Sequence, residues 1–99
     1  MQRIARVGRL KPEAVDEYTK LHQEMSAELL SIHSQAGLKN FSIYRHGLEL
    51  FSYLECDDWD QALDYLSKNP LAQAWSQKMK TLLDEPLPWK ILDEVWRLD

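Results

Sequence analysis

Apolar residues at Ala14, Tyr18, Leu21, Met25, Leu29 and Ile32, separated by four, three, four, four and three positions, are the strongest constraint on how this chain can fold. The spacing follows the helical turn and predicts one amphipathic helix from Glu13 to about Gln35, whose apolar stripe has to be buried against another layer. Pro12 opens the helix, since it has no N–H to lose in a first turn. Gly37 stands at its C-terminal cap, where a left-handed backbone is needed. Ahead of the helix, Arg3 to Leu10 alternates loosely, with Ala5 and Val7 on one side and Ile4 and Leu10 on the other, and reads as a strand.

Beyond Gly37, Asn40 to Arg45 and Leu48 to Cys56 are rich in aromatic and branched residues. They are predicted to pair antiparallel across a His46-Gly47 turn. Asp57 and Asp58 offer N-caps for a helix through Trp59, Leu63 and Leu66. Asn69-Pro70 breaks that helix before a second piece carrying Leu71, Trp75, Met79 and Leu82. Glu85-Pro86-Leu87-Pro88 reads as a stiff extended loop, and Trp89 to Leu98 as a last strand. The order strand, helix, strand, strand, helix, strand is the split βαβ arrangement of ferredoxin-like α+β domains. It implies a four-stranded antiparallel sheet with the helices on one face, in a single domain over residues 1–99. The other sheet face would carry large side chains, and a homodimer joined face to face through its sheets is the expected cover.

Composition narrows the function. Sixteen acidic against twelve basic side chains give a net charge of -4, which argues against the basic face that nucleic acid requires. No apolar run approaches the ~20 residues of a membrane span, and arginines at 3, 6 and 9 break any signal-peptide core, so a cytoplasmic protein with no membrane partner is expected. Cys56 is the sole cysteine and reads as a small buried hydrophobe. There is no Gly-rich phosphate loop and no nucleophile elbow. A metal site is not expected either, because no Cys, His and carboxylate cluster occurs at ligand spacing. On one continuous helix His33 would stand about 16 Å along the axis from His22, and His46 belongs to the hairpin turn.

Tyr18 and His22 are the sharpest candidate pair. Four residues apart on a helix, a phenol and an imidazole project from one face at neighbouring heights. The phenol can orient a hydroxylated ligand, and imidazole exchanges protons near neutrality. The same two residues also fit a plain amphipathic edge of the core. Trp59, Trp75, Trp89 and Trp96 make a heavy aromatic load, explained either by packing or by a platform for the apolar face of a sugar. Asp57-Asp58 and Asp84-Glu85 read as caps and solvated loops.

Taken in order, Pro12, Glu17-Tyr18 with His22, Glu28-Leu29, Gly37 with Asn40, Ile43-Tyr44, Phe51, Glu55, Gln73-Ala74-Trp75, Met79 and Glu94-Val95-Trp96-Arg97-Leu98 make the chain resemble the L-rhamnose mutarotases, small dimeric α+β-barrel proteins. The resemblance covers nearly the whole length. It implies a cofactor-free isomerase acting on a monosaccharide, with His22 as proton donor, Tyr18 binding the sugar and Trp75 giving an aromatic wall. At position 41 the family usually has a tyrosine in contact with sugar, where this chain has Phe41. After Trp75 it often has a second tryptophan, where this chain has Ser76. A tryptophan and a proline usual before Glu28 are replaced within Met25, Ser26 and Ala27. These departures leave the sugar open between L-rhamnose and L-fucose or another deoxy sugar. The fold also admits a noncatalytic dimeric sugar-binding module and a monooxygenase-type or haem-handling barrel.

Overall fold

The structure is a computed structural model that describes residues 1–84 and 89–99; the loop expected at 85–88 lies outside them. Strand β1 (Gln2–Arg9) leads into a short 3-10 turn, Pro12–Ala14, and helix α1 (Val15–Gln23). Helix α2 (Ala27–Gln35), strands β2 (Lys39–His46) and β3 (Glu49–Cys56), helices α3 (Trp59–Ser67) and α4 (Pro70–Leu82) and the short strand β4 (Lys90–Ile91) follow. The sheet order is β2-β3-β1-β4 and every pairing is antiparallel. This is the expected ferredoxin-like α+β arrangement.

The expected single helix is two. The chain leaves α1 at Glu24, and Ser26 takes an extended backbone and accepts a hydrogen bond from the Leu29 N–H through its hydroxyl. A serine cap of this kind satisfies one of the orphan donors of a new helix. The apolar spacing runs straight through the break, so periodicity alone conceals it. Helix α2 then ends as expected: Gly37, at φ +96°, donates to the Ser34 carbonyl while Leu38 N–H reaches back to His33. Those paired bonds are the Schellman motif.

The hairpin turn falls one residue later than expected, on Gly47-Leu48, and His46 closes β2 opposite Glu49. Gly47 has φ +63°, the left-handed first position of a type II′ turn. Asn69 caps α4 by accepting from the Leu71 and Ala72 N–H groups, and Pro70 follows at its first turn, so the Asn69-Pro70 break is where the sequence placed it. The last strand is much shorter than Trp89 to Leu98. Only Lys90 and Ile91 pair with β1, followed by Leu92 N–H to the Ala5 carbonyl.

Alternation along β3 buries Leu50, Ser52, Leu54 and Cys56 under the helices. One cluster joins Leu10 and Leu50 to Ala14, Tyr18, Met79 and Leu82. A second joins Leu54 and Cys56 to Leu38 and Ala62. Among the described residues no helix covers the opposite sheet face, where Phe51 and Tyr44 are exposed. Val7, Phe51 and Tyr44 lie side by side across its three longest strands, with the charged rows Arg9, Glu49, His46 and Arg3, Glu55, Lys39 at either end. Past β4, Val95, Trp96 and Leu98 are 95%, 75% and 80% exposed. Among the described residues no helix is long and apolar enough to cross a membrane.

Candidate functional site

Between the two core clusters the inner face of the sheet turns polar. Arg6 on β1 stands opposite Ser52 on β3, which stands opposite Ile43 on β2. Above this rung the helices leave a cavity of about 650 Å³, within the size range of small-molecule sites. Tyr18 and His22 enter it from α1, His33 from α2, Phe41 from β2, Trp59 from α3, Trp75 and Ser76 from α4, and Trp89 from the chain before β4. A bulge in β2 between Lys39 and Ser42 places Phe41 at the cavity rim. There Asn40 takes φ +50° and its side-chain amide donates to Glu55.

The α1 pair is in contact. The Tyr18 and His22 ring centroids are 4.3 Å apart, and Trp75 meets His22 edge-on at 5.0 Å. His22 Nδ1 lies 2.9 Å from the Tyr18 carbonyl oxygen. A carbonyl only accepts, so Nδ1 carries the proton and Nε2 of the neutral ring holds a lone pair. Burial is the main influence on this imidazole and pushes its pKa below the usual histidine value, against the pull of the Tyr18 carbonyl and with help from the charge of His33. At neutral pH His22 is therefore a base at Nε2, and it becomes an acid once it has taken a proton.

Burial pushes the Tyr18 phenol up to about 12, while Arg6 pulls the other way. The phenol thus stays protonated and able to donate. No buried side-chain nitrogen or oxygen among the described residues lacks a partner, and the Tyr18 hydroxyl, which bonds to none of them, opens on the cavity. His33 repeats the His22 arrangement, with its Nδ1 2.8 Å from the Leu29 carbonyl.

Arg6 has a different setting. Its Nε donates to the Ser52 hydroxyl at 3.1 Å, and its guanidinium carbon lies 4.7 Å from the Trp89 ring centroid, 5.4 Å from Trp59 and 6.0 Å from Phe41. Burial lowers its pKa, but a guanidinium remains charged.

Tyr18, His22, Phe41, Trp75 and Ser76, the five residues singled out by sequence, all line this one cavity. Sequence reasoning missed Arg6 and misplaced His33. The 16 Å separation of the two histidines presumed one helix; the break before Ser26 turns the chain, so that both line the same cavity and the charge of one acts on the other. Arg6 had a signal, because it falls between Ile4 and Leu10 on one side of β1, the side that the structure turns towards the helices. Trp96 is neither core nor cavity wall within its own chain, being three-quarters exposed. Among the described residues no group of three His, Cys, Asp or Glu side chains is placed to hold a metal ion.

The sequence pattern of the family described as L-rhamnose mutarotase matches residues 3–98. An L-rhamnose mutarotase from Lactiplantibacillus plantarum is 29% identical over 86 residues, covering 85% of this chain and 82% of its own. Among solved structures, an L-rhamnose mutarotase from Formosa agariphila superposes with a TM-score of 0.81 over 100% of both chains at 20% identity. An antibiotic biosynthesis monooxygenase reaches 0.68 at 17% identity, covering 96% of this chain and 99% of its own. At such identities both structural likenesses speak for the fold alone.

Proposed function

The chain belongs to the L-rhamnose mutarotase family, and from that premise we propose that it is an aldose mutarotase, interconverting the α and β anomers of L-rhamnose with His22 as the proton carrier. The observation that carries this reading is His22, its Nδ1 held by the Tyr18 carbonyl so that Nε2 keeps its lone pair, in a cavity large enough for a monosaccharide and against the rings of Tyr18 and Trp75.

The chemistry asks for little. The anomeric hydroxyl gives its proton to Nε2 as the bond from C1 to the ring oxygen breaks, and C1 becomes the carbonyl of an open aldehyde. The imidazolium returns that proton to the departing ring oxygen, so no net proton is gained or lost. Both oxygens were bonded to C1 and fall within reach of one nitrogen. The aldehyde rotates about its C1–C2 bond, and the same steps in reverse close the ring on the other face. His22 is thus the proton donor at the ring oxygen, as the family resemblance implies, and the lone pair on neutral Nε2 lets the same residue serve as the base. Tyr18 donates to a sugar hydroxyl, Phe41 and Trp75 lie against apolar C–H surface, and Ser76 offers a hydroxyl where the family often has a second ring.

Phe41 and Ser76 also make L-fucose a candidate substrate. The monooxygenase reading rests on likeness of fold, and the noncatalytic sugar-binding reading gives no role to a free imidazole nitrogen. The protein acts as a cytoplasmic homodimer in this reading. The row Val7, Phe51, Tyr44, bounded by charged rows of both signs, supports pairing through the uncovered sheet face. Sedimentation at micromolar concentration reads that state directly, and a monomer would refute it.

Exchange NMR on equilibrated L-rhamnose and L-fucose tests the activity. Magnetisation transfer between α and β resonances that depends on the protein establishes it and ranks the two sugars. No added exchange on either leaves the fold and removes this function.

A further inference from the structure

The cavity is cationic in an acidic protein. The chain carries 16 carboxylate side chains to 12 lysines and arginines, yet the cavity wall contains two arginines, Arg6 and Arg45, and not one Asp or Glu among the described residues. Arg6 is the extreme case. It is partly buried, and no described carboxylate lies within ion-pair distance of it. Its one hydrogen bond among the described residues goes from Nε to Ser52.

Removing a guanidinium from water is costly unless it is paired. Here the ring faces of Trp89, Trp59 and Phe41 offset only part of that cost. The Ser52 contact holds Nε and leaves the two terminal nitrogens, which are the ends of the fork that grips a planar oxyanion. A carboxylate or phosphate would pair with such a cation more strongly than a neutral hydroxyl does.

We propose that Arg6 is a specificity-determining residue and that the cavity takes aldoses bearing an anionic group away from the anomeric carbon. Resting on the mutarotase reading, this deepens it by naming a substrate class: the anomeric end meets His22 and the anionic end meets Arg6. A carboxylate, as in a hexuronate, and a phosphate ester on the terminal carbon share this chemistry.

Matched pairs separate the alternatives. Exchange NMR would compare D-galacturonate with D-galactose and glucose 6-phosphate with D-glucose, with L-rhamnose alongside and each rate divided by its own uncatalysed value. The expected result is at least about a tenfold greater acceleration of one anionic sugar over its neutral partner, the size of a hydrogen-bonded charge contact. Arg6→Gln removes that advantage, and Arg6→Lys keeps part of it. The anion that gains more identifies the source.

Should Arg6→Gln not fold, the wild type still decides. The methyl ester of D-galacturonate keeps the shape of the uronate without its charge, and its acceleration should fall back to that of D-galactose. Acceleration of L-rhamnose with no anionic advantage, or an advantage that survives Arg6→Gln, overturns this inference and leaves the L-rhamnose activity standing. Acceleration of an anionic sugar without L-rhamnose supports it and displaces L-rhamnose as substrate. No acceleration of any sugar overturns both.

Discussion

Replacing His22 by Asn isolates the proton carrier from the rest of the cavity. Asparagine neither accepts nor gives up a proton near neutrality, whereas Tyr18, Trp75 and Arg6 keep their places on other turns and elements. General acid–base assistance of this kind is worth roughly 10²–10⁴-fold, which is about 3–5 kcal/mol of barrier. Folding pays a smaller penalty. The substitution loses ring contacts with Tyr18 at 4.3 Å and Trp75 at 5.0 Å, each about 0.5–1.5 kcal/mol, and opens room in a half-buried place. A net loss of about 1–2 kcal/mol lowers Tm by roughly 4–15 °C in a domain of this size. Exchange NMR on the substrate, run well below both melting temperatures, should then show at most a hundredth of the wild-type acceleration with sugar binding retained. A folded His22→Asn protein with more than a tenth of the wild-type rate would refute His22 as the carrier, and with it the role of its free nitrogen.

Four further outcomes follow from the same geometry. Because burial holds the His22 pKa below its usual value, kcat/KM should stay level from neutrality down past the ordinary imidazole range and fall only in more acid solution, and a limb centred above that range would contradict the burial argument. The unfolded chain binds this proton first as pH falls, so the share of stability tied to neutral His22 is whole above the unfolded pKa and is lost on the way down to the folded one; urea titrations across that window should show the decline, and its absence in His22→Asn. Trp75→Ala should raise KM more than it lowers kcat, with Trp75→Phe recovering most of the loss, and a collapse of kcat alone would instead place Trp75 in the proton transfer. Ser26→Ala, which deletes the cap of α2, should cost about 1 kcal/mol and reduce Tm by roughly 4–8 °C, measured by calorimetry, and no change would mean that packing alone sets the break.

Much of this architecture is readable where local chemistry and period agree. β3 alternates cleanly and β1 only loosely, and Asn69-Pro70 and Gly37 are caps whose backbone demands few residues meet. The failures occur where a residue's partner lies outside its own segment. Ser26 ends one helix and begins another without disturbing the apolar spacing, because both helices face the same sheet. The terminal segment alternates like a strand, but Val95, Trp96 and Leu98 find no ladder in their own chain. Arg6 is invisible to a reading by charge alone, since its meaning depends on Ser52, 46 positions away, and on aromatic rings from three other parts of the chain. His22 and Tyr18 were legible because one helical turn holds both.

The bare C-terminal segment couples structure to amount. Its three apolar side chains are exposed, as are Phe51 and Tyr44 of the row they share with Val7; in the proposed dimer their burial would be shared between chains and would obey mass action. Each tenfold dilution then weakens that burial by about 1.4 kcal/mol. Under that proposal the unfolding midpoint would drift with protein concentration, and the emission colour of Trp96 with it. Under the same proposal expression level becomes a structural variable, setting what share of copies has its sheet face covered.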